Sequence, residues 1–258
     1  MPMLTINQEQ FHYRFDGPEN APVLMVSNSL GTDLTMWDGQ IPVWSKKYRV
    51  LRYDSRGHGK SAAPDSPYSI DELGRDAIAI MDGLGLKQVN WCGVSKGGMV
   101  GQWLATHAPE RLRRAVFANT AAHMGPPDLW NSRIRLARSE GMAPIGNAMA
   151  DRWFTKRFQA ADPAEVSRVT ALVSKQPPQG YAGCCAAIRD MDQREAIRAV
   201  TIPVLVIIGA HDPATPPAAG ELIHANIKGS KKFVLDAAHL SNVEHPKEFA
   251  NAVMEFLG

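Results

Sequence analysis

The chain has 258 residues, 45% of them hydrophobic and 21% charged, so it can bury a large core without disulfide bonds. Its formal net charge of +2, with no basic run longer than a pair, argues against a nucleic-acid partner. Three cysteines (Cys92, Cys184 and Cys185) do not indicate a set of disulfide bonds, and the sequence has no signal-peptide pattern. No apolar run approaches the roughly 20 residues of a membrane helix. These observations predict a cytoplasmic protein without a membrane partner.

Short apolar runs recur along the chain and predict strands. Gln10 to Phe15 alternates between apolar and polar residues, as a strand with one exposed face does. The later runs are mostly apolar without alternation, which is typical of strands covered on both faces of a parallel sheet. These runs are Pro22 to Val26, Tyr48 to Tyr53, Gln88 to Val94, Arg114 to Asn119, Pro203 to Gly209 and Lys232 to Leu235.

Helical patterns lie between several of these runs, at Ser69 to Leu84, Gly97 to His107 and Pro246 to Leu257. Ser69 and Glu72 are spaced as a capping box, in which each side chain bonds the free backbone N–H of the other residue. Strands that alternate with helices predict an α/β fold with a mostly parallel sheet and helices on both faces.

One segment, residues 122–195, interrupts this alternation. It has no strand-like run and holds four helix-like stretches, separated by Gly141, Pro144, Pro163 and Pro177-Pro178. We interpret it as a helical cap inserted into a core formed by residues 1–121 and 196–258. The cap is expected to lie over the C-terminal edge of the sheet.

The strongest local motif is Gly93-Val94-Ser95-Lys96-Gly97-Gly98, which follows a predicted strand and precedes a predicted helix. This context is typical of a nucleophile elbow, a tight turn that presents a serine hydroxyl at the edge of the sheet. The alternative is a glycine-serine turn without chemistry. We favour Ser95 as a nucleophile because the strand, turn and helix occur in the required order.

A serine nucleophile needs a base, and histidine titrates near neutral pH. Among the eight histidines, His239 lies just past the strand ending at Leu235, and Asp212 follows the most apolar strand. This gives the order serine, acid, histidine that the elbow fold uses. Asp236 is a rival acid, although it lies only three residues before His239. His211 is interpreted as a surface loop residue.

The tetrahedral intermediate of such a reaction requires backbone donors for its oxyanion. The N–H of Lys96, which follows the nucleophile, is one candidate. The second should come from the loop after an early strand, where the Leu30 N–H is the best candidate. The Lys96 side chain could either be solvated or raise the local positive potential.

Two glycine motifs resemble cofactor sites but fail on their context. Gly59-Lys60-Ser61 resembles the end of a phosphate-binding loop, yet Asp54 occupies the position of the first glycine. Gly57-x-Gly59-x-x-Ala62 resembles a dinucleotide motif, yet prolines follow where a helix should begin. No group of residues has the spacing of metal ligands. We therefore expect no cofactor and no metal.

Longer motifs run through most of the chain, and several lie in the predicted cap. The motifs are Asp54-x-Arg56-Gly57-His58-Gly59-x-Ser61, Asn28-Ser29-Leu30-Gly31-Thr32, Gly98-Met99-Val100-Gly101-Gln102-Trp103, Trp130-Asn131-Ser132-Arg133-Ile134, Arg152-Trp153-Phe154-Thr155, Gln179-Gly180-Tyr181 and Ala238-His239-Leu240-Ser241-Asn242. With these motifs the chain resembles the α/β-hydrolases and, within them, the 3-oxoadipate enol-lactone hydrolases, over nearly its whole length. Where most hydrolases of this fold have a His-Gly pair, this chain has Asn28-Ser29, which could alter how that loop is held.

The resemblance implies an eight-stranded sheet and a small enol-lactone substrate that carries a carboxylate. Such an anion requires a cation in the pocket, for which Arg133 is the first candidate. Trp130, Trp153 and Tyr181 could form the apolar walls, although packing roles are the plain alternative for all four residues. Two other functions stay open: another hydrolase on the same residues (a carboxylesterase, perhydrolase or carbon–carbon bond hydrolase), or a non-catalytic binding protein.

Overall fold

The computed structural model describes residues 2–258. In these residues eight strands form one sheet, in the order β1-β2-β4-β3-β5-β6-β7-β8. β1 and β2 pair antiparallel with their neighbours, and β3 to β8 are parallel to one another. The strands are β1 (Met3–Ile6), β2 (Glu9–Asp16), β3 (Val23–Ser27), β4 (Arg49–Tyr53), β5 (Val89–Val94), β6 (Leu112–Ala118), β7 (Val204–Gly209) and β8 (Lys231–Leu235).

Twelve α-helices and three short 3₁₀ turns accompany the sheet in the same residues. The helices are α1 (Ile41–Trp44), α2 (Ile70–Gly83), α3 (Lys96–His107), α4 (Pro127–Glu140), α5 (Ala143–Asn147), α6 (Ala150–Trp153), α7 (Lys156–Ala161), α8 (Pro163–Ser174), α9 (Pro178–Asp190), α10 (Pro217–Asn226), α11 (Ser241–Glu244) and α12 (Pro246–Leu257). None of the helices in residues 2–258 is both long enough and apolar enough to cross a membrane.

The apolar runs of the sequence account for the centre of the sheet. Every residue of β5 and of β7 is buried, as expected for strands with helices on both faces. The prediction of an α/β fold with a mostly parallel sheet is confirmed. β1 was not predicted from the sequence, because it is a four-residue edge strand whose residues are exposed or only half-buried.

The start of α2 corrects one detail of the prediction. The Glu72 N–H donates to the Ser69 hydroxyl at 3.0 Å, which is one half of the expected capping box. The other half is not formed, because the Glu72 carboxylate lies 3.4 Å from the Arg56 guanidinium instead of bonding the Ser69 N–H. Glu72 therefore contributes to an ion pair and not to the helix cap.

The segment between β6 and β7 contains six helices, α4–α9, which we call the inserted helices. The prediction of four helix-like stretches was wrong between Pro144 and Pro163, where α5, α6 and α7 replace a single helix. One of the breaks is explained by Phe154, whose backbone is extended, and by Thr155, whose side chain accepts the Phe158 N–H and starts α7. The division into a core and a cap at residues 122 and 195 stays a prediction.

Candidate active site

Ser95 lies on the tight turn between β5 and α3. Its backbone has φ 56° and ψ −116°, a conformation that side-chain-bearing residues rarely adopt. The turn also needs its glycines, because a Cβ on Gly93 would lie 2.1 Å from the Gly97 oxygen, and a Cβ on Gly97 would lie 2.1 Å from the Ser27 oxygen. The strain at Ser95 is thus imposed by close backbone packing around it.

His239 and Asp212 follow neighbouring parallel strands, β8 and β7, so both lie at the C-terminal edge of the sheet. Their side chains are buried, and Nδ1 of His239 lies 2.8 Å from Oδ2 of Asp212. A carboxylate at this position accepts the Nδ1 proton. Nε2 of the ring is then the nitrogen with a free lone pair.

Four further hydrogen bonds hold the Asp212 carboxylate in place. Oδ1 accepts the N–H groups of Ala214 (2.8 Å) and Thr215 (2.9 Å), and Oδ2 accepts the Thr215 hydroxyl (2.7 Å) and the Asn119 amide (3.1 Å). Burial by itself would raise the pKa of Asp212, but the charge and hydrogen bond of His239 and the bonds from Thr215 outweigh it and hold the pKa below its usual value. Asp212 is therefore a fixed, ionised acceptor for the histidine ring.

Asn119 connects the acid loop with the histidine loop. It follows β6 with a left-handed backbone (φ 44°), and its amide nitrogen donates to Asp212 and to the Ala238 oxygen, each at 3.1 Å. Its amide oxygen accepts the Ser241 hydroxyl at 2.5 Å. The sequence reasoning assigned no role to Asn119, although its position at the end of an apolar run, beside two other strand ends, was the available signal.

One pocket brings most of the predicted site residues together. The pocket is narrow, with a cavity volume of about 30 Å³. Apart from the predicted site residues, the lining is largely apolar, with Ser29, Thr215 and Arg152 as its polar members. Arg152 had no role in the sequence analysis. The predicted residues that line the pocket are Ser95, His239, Leu30, Arg133, Trp130, Trp153 and Tyr181.

The loop after β3 presents a free backbone donor to this pocket. Among residues 2–258 the Leu30 N–H has no hydrogen-bond partner, whereas the next N–H, that of Gly31, donates to Nε2 of His58 at 2.8 Å. Asn28 holds the loop with both amide atoms, donating to the Tyr53 oxygen (3.0 Å) and accepting from the Trp37 indole (2.8 Å). The loop is therefore well held by hydrogen bonds, although Asn28-Ser29 stands where a His-Gly pair is usual.

Lys96 is the first residue of α3, so its N–H has no carbonyl in a preceding turn to bond. The alternative of a solvated side chain was wrong, because Lys96 is only 1% exposed and its ammonium contacts the Ser55 hydroxyl. Burial lowers the pKa of Lys96. Burial, and then the charge of Lys96, lower the pKa of His58 well below its usual value. His58 is thus neutral and accepts the Gly31 N–H.

The rival acid, Asp236, is exposed and engaged elsewhere. Its carboxylate bonds the His211 ring at 2.7 Å and the Arg157 guanidinium at 2.8 Å. The carboxylate beside His239 is therefore that of Asp212. Within residues 2–258 no group of three or more His, Cys, Asp or Glu side chains is placed to hold a metal ion.

Comparison with known proteins gives consistent results over nearly the whole chain. Residues 22–246 match the α/β-hydrolase-fold family. The chain is 44% identical to 3-oxoadipate enol-lactonase 2 of Acinetobacter baylyi, over 97% of this chain and 94% of that one, and 35% identical to enol-lactonase 1 of the same organism, over 95% and 91%. It also superposes on the crystal structure of the enol-lactonase from Burkholderia xenovorans LB400 with a TM-score of 0.97 and 41% identity, over 99% of both chains.

Proposed function

The chain belongs to the α/β-hydrolase-fold family and, within it, to the 3-oxoadipate enol-lactonases, and from this premise we propose that it opens the lactone ring of 3-oxoadipate enol-lactone to give 3-oxoadipate. This is a hydrolytic step in the breakdown of aromatic compounds. The observation that carries the proposal is the pocket that Ser95, the Asp212-bonded ring of His239 and Arg133 line together. We further propose a cytoplasmic location.

Acylation begins when Nε2 of His239 takes the Ser95 proton and Oγ attacks the lactone carbonyl. The negative charge on the carbonyl oxygen is stabilised by the N–H groups of Leu30 and Lys96. Asp212 stabilises the imidazolium that forms and keeps the ring in the correct tautomer. The intermediate collapses by breaking the bond between the carbonyl carbon and the ring oxygen.

The leaving group of this step is an enolate, which departs more readily than a simple alkoxide. It takes the proton that His239 accepted from Ser95 and becomes the ketone of the product, while the acyl group stays bound to Ser95 and His239 is neutral again. His239 then activates a water molecule, which attacks the ester carbonyl and regenerates the Ser95 hydroxyl. The product, 3-oxoadipate, leaves as a dicarboxylate.

Arg133 is proposed to bind the substrate carboxylate, and the apolar surroundings strengthen this attraction. Its guanidinium carbon lies 5.2 Å from the centre of the Trp130 ring, so stacking restricts the orientation of the cation. Trp153 and Tyr181 line the same pocket and are proposed to enclose the lactone ring.

The proposal is tested with enol-lactone generated enzymatically, whose ultraviolet absorbance disappears on hydrolysis. We expect kcat/KM to be higher for the enol-lactone than for neutral p-nitrophenyl esters of similar size. Ser95→Ala should fold normally and have no measurable turnover. Faster hydrolysis of the neutral esters would favour a general carboxylesterase and contradict the proposal.

A further inference from the structure

Arg152 lies in α6 and lines the same pocket as Ser95 and His239. We propose that Arg152 is a specificity-determining residue that, together with Arg133, binds a carboxylate group of the ligand. This inference rests on the proposed function, because it identifies what selects the anionic lactone over neutral esters.

The ion pairs of the inserted segment set these two arginines apart. Five other arginines of residues 122–195 pair with carboxylates: Arg138, Arg157, Arg168, Arg189 and Arg194. Arg135 is exposed and bonds the Ser132 hydroxyl. Among residues 2–258, Arg133 and Arg152 form no ion pair, although both are half-buried. The two half-buried arginines of this segment that form no ion pair are thus the two that line the pocket.

Arg152 has a fixed position relative to the histidine loop. The oxygen of its neighbour Trp153 accepts the Leu240 N–H at 3.1 Å, which joins α6 to the residue after His239. Arg133 lies on a different helix, α4, and stacks on Trp130. The two guanidinium groups therefore reach the pocket from two separately anchored helices.

The charges of this pair are uncompensated inside the protein. Burial lowers the pKa of Arg152, and the nearby charge of Arg133 lowers it further. Tyr181 and then Asp212 act in the opposite direction. Burial raises the pKa of Tyr181, so its phenol stays neutral, and both oxygens of Asp212 already bond His239, Asn119 and the Ala214-Thr215 turn. Two like charges without a counter-ion are costly in a half-buried site, and an anion placed near both would remove that cost.

The chemistry of the ligand follows from the geometry of the cation. A guanidinium offers a planar pair of N–H donors that matches the two oxygens of a carboxylate. Much of the surrounding wall is apolar, with Met99, Met124, Met149 and Ile188, so the attraction is weakly screened. The product carries one more carboxylate than the lactone, and it should therefore bind to this pocket at least as well.

The first experiment measures binding without catalysis. The ligand is adipate, a stable six-carbon dicarboxylate, and 1,6-hexanediol is its neutral counterpart. By calorimetry we expect the wild type to bind adipate and not the diol, and Arg152→Gln to bind adipate at least about tenfold more weakly. Arg168→Gln, which removes an exposed arginine paired with Glu165, should bind like the wild type.

Arg152→Lys keeps the charge but loses the planar pair of donors, and we expect an intermediate affinity. Adipate binding by Arg152→Gln equal to that of the wild type would overturn the inference. So would a wild type that does not bind adipate. Binding by Arg152→Lys as tight as that of the wild type would contradict recognition by a guanidinium.

Kinetics provide the second readout. The ratio of kcat/KM for the enol-lactone to kcat/KM for a neutral p-nitrophenyl ester should fall at least about tenfold in Arg152→Gln, and it should not change in Arg168→Gln. A ratio unaffected by Arg152→Gln would overturn the inference. If the wild type binds adipate through Arg152 but does not hydrolyse the enol-lactone, the proposed function fails and the carboxylate site stands.

Discussion

At the residue scale, the position of the His239 ring depends on side chains that never touch the substrate. Asp212 fixes the ring, and Asn119 bonds both that carboxylate and the backbone of the preceding residue, Ala238. Thr215 adds a hydroxyl and a backbone donor to the carboxylate. The orientation of the base is therefore set by a buried network and not by the Asp212 contact alone.

Asn119→Ala should remove this connection while leaving the pocket lining unchanged. We expect kcat to fall by roughly 10- to 100-fold with little change in KM, because the base is misplaced but the lactone still binds. Steady-state kinetics on the enol-lactone, with the midpoint of thermal unfolding measured alongside, would check this.

Asn226→Ala is the matched control, because Asn226 is a half-buried asparagine of α10, outside the pocket, that bonds only the Leu222 oxygen. It should leave kcat and KM unchanged. If Asn119→Ala raised KM and spared kcat, Asn119 would act on substrate binding, and the positioning role would be wrong.

At the element scale, the site is a consequence of strand order. β5, β6, β7 and β8 are adjacent and parallel, so the residues that follow them meet at one edge. Ser95, Asn119, Asp212 and His239 each follow one of these four strands closely. The elbow adds the strained turn that raises the serine above the start of α3.

This explains why the three proposed catalytic residues could be located from the sequence and why the residues that support them could not. Apolar runs mark strand ends, so Ser95, Asp212 and His239 were found as polar residues just past such runs. Asn119 lies at such an end too, but an asparagine after a strand is also an ordinary turn residue. The burial of Lys96 depends on what packs against α3, which no local pattern reveals.

The inserted helices were predicted in place but not in detail. Proline and glycine marked some of the breaks, whereas the extended backbone at Phe154 and the cap at Thr155 have no equally strong signal. Arg152 was overlooked for a similar reason. A cap arginine is usually paired or solvated, and its lack of a partner is visible only once the neighbouring helices are in place.

At the scale of the whole molecule, buried polar contacts join the inserted helices to the rest of the chain beside His239. The Glu244 carboxylate accepts the Ala238 N–H (3.1 Å) and the Thr155 N–H (3.3 Å), and it also contacts the Thr155 hydroxyl. The Gln176 side chain accepts the Gly59 N–H at 2.7 Å. Glu244 therefore joins the start of α7 to the residue before His239.

The pH dependence of stability tests the buried His58. Its folded pKa lies well below 6.5, so below about pH 6.5 the unfolded chain binds a proton that the folded protein does not. Above about pH 6.5 the neutral His58 makes its full contribution to the free energy of unfolding. As the pH falls this contribution declines, by up to about 2 kcal/mol at pH 5. His58→Gln keeps an acceptor for Gly31 but cannot titrate.

Urea unfolding at pH 5, 6 and 7 measures this effect. We expect the loss of unfolding free energy between pH 7 and pH 5 to be smaller in His58→Gln than in the wild type, by at most about 2 kcal/mol. His107→Gln, at the exposed end of α3, should keep the wild-type dependence. An identical pH dependence in His58→Gln and the wild type would show that His58 is not held neutral by the fold.

The proposed mechanism requires above all that Ser95 is a nucleophile that His239 activates. The direct measurement is labelling with a fluorophosphonate probe, which reacts with activated serines, followed by mass spectrometry of the labelled peptide. We predict one adduct on Ser95 in the wild type, none in Ser95→Ala and a much slower reaction in His239→Ala. A wild type that does not react, or that reacts at another serine, would contradict the account and favour a binding protein on the hydrolase fold.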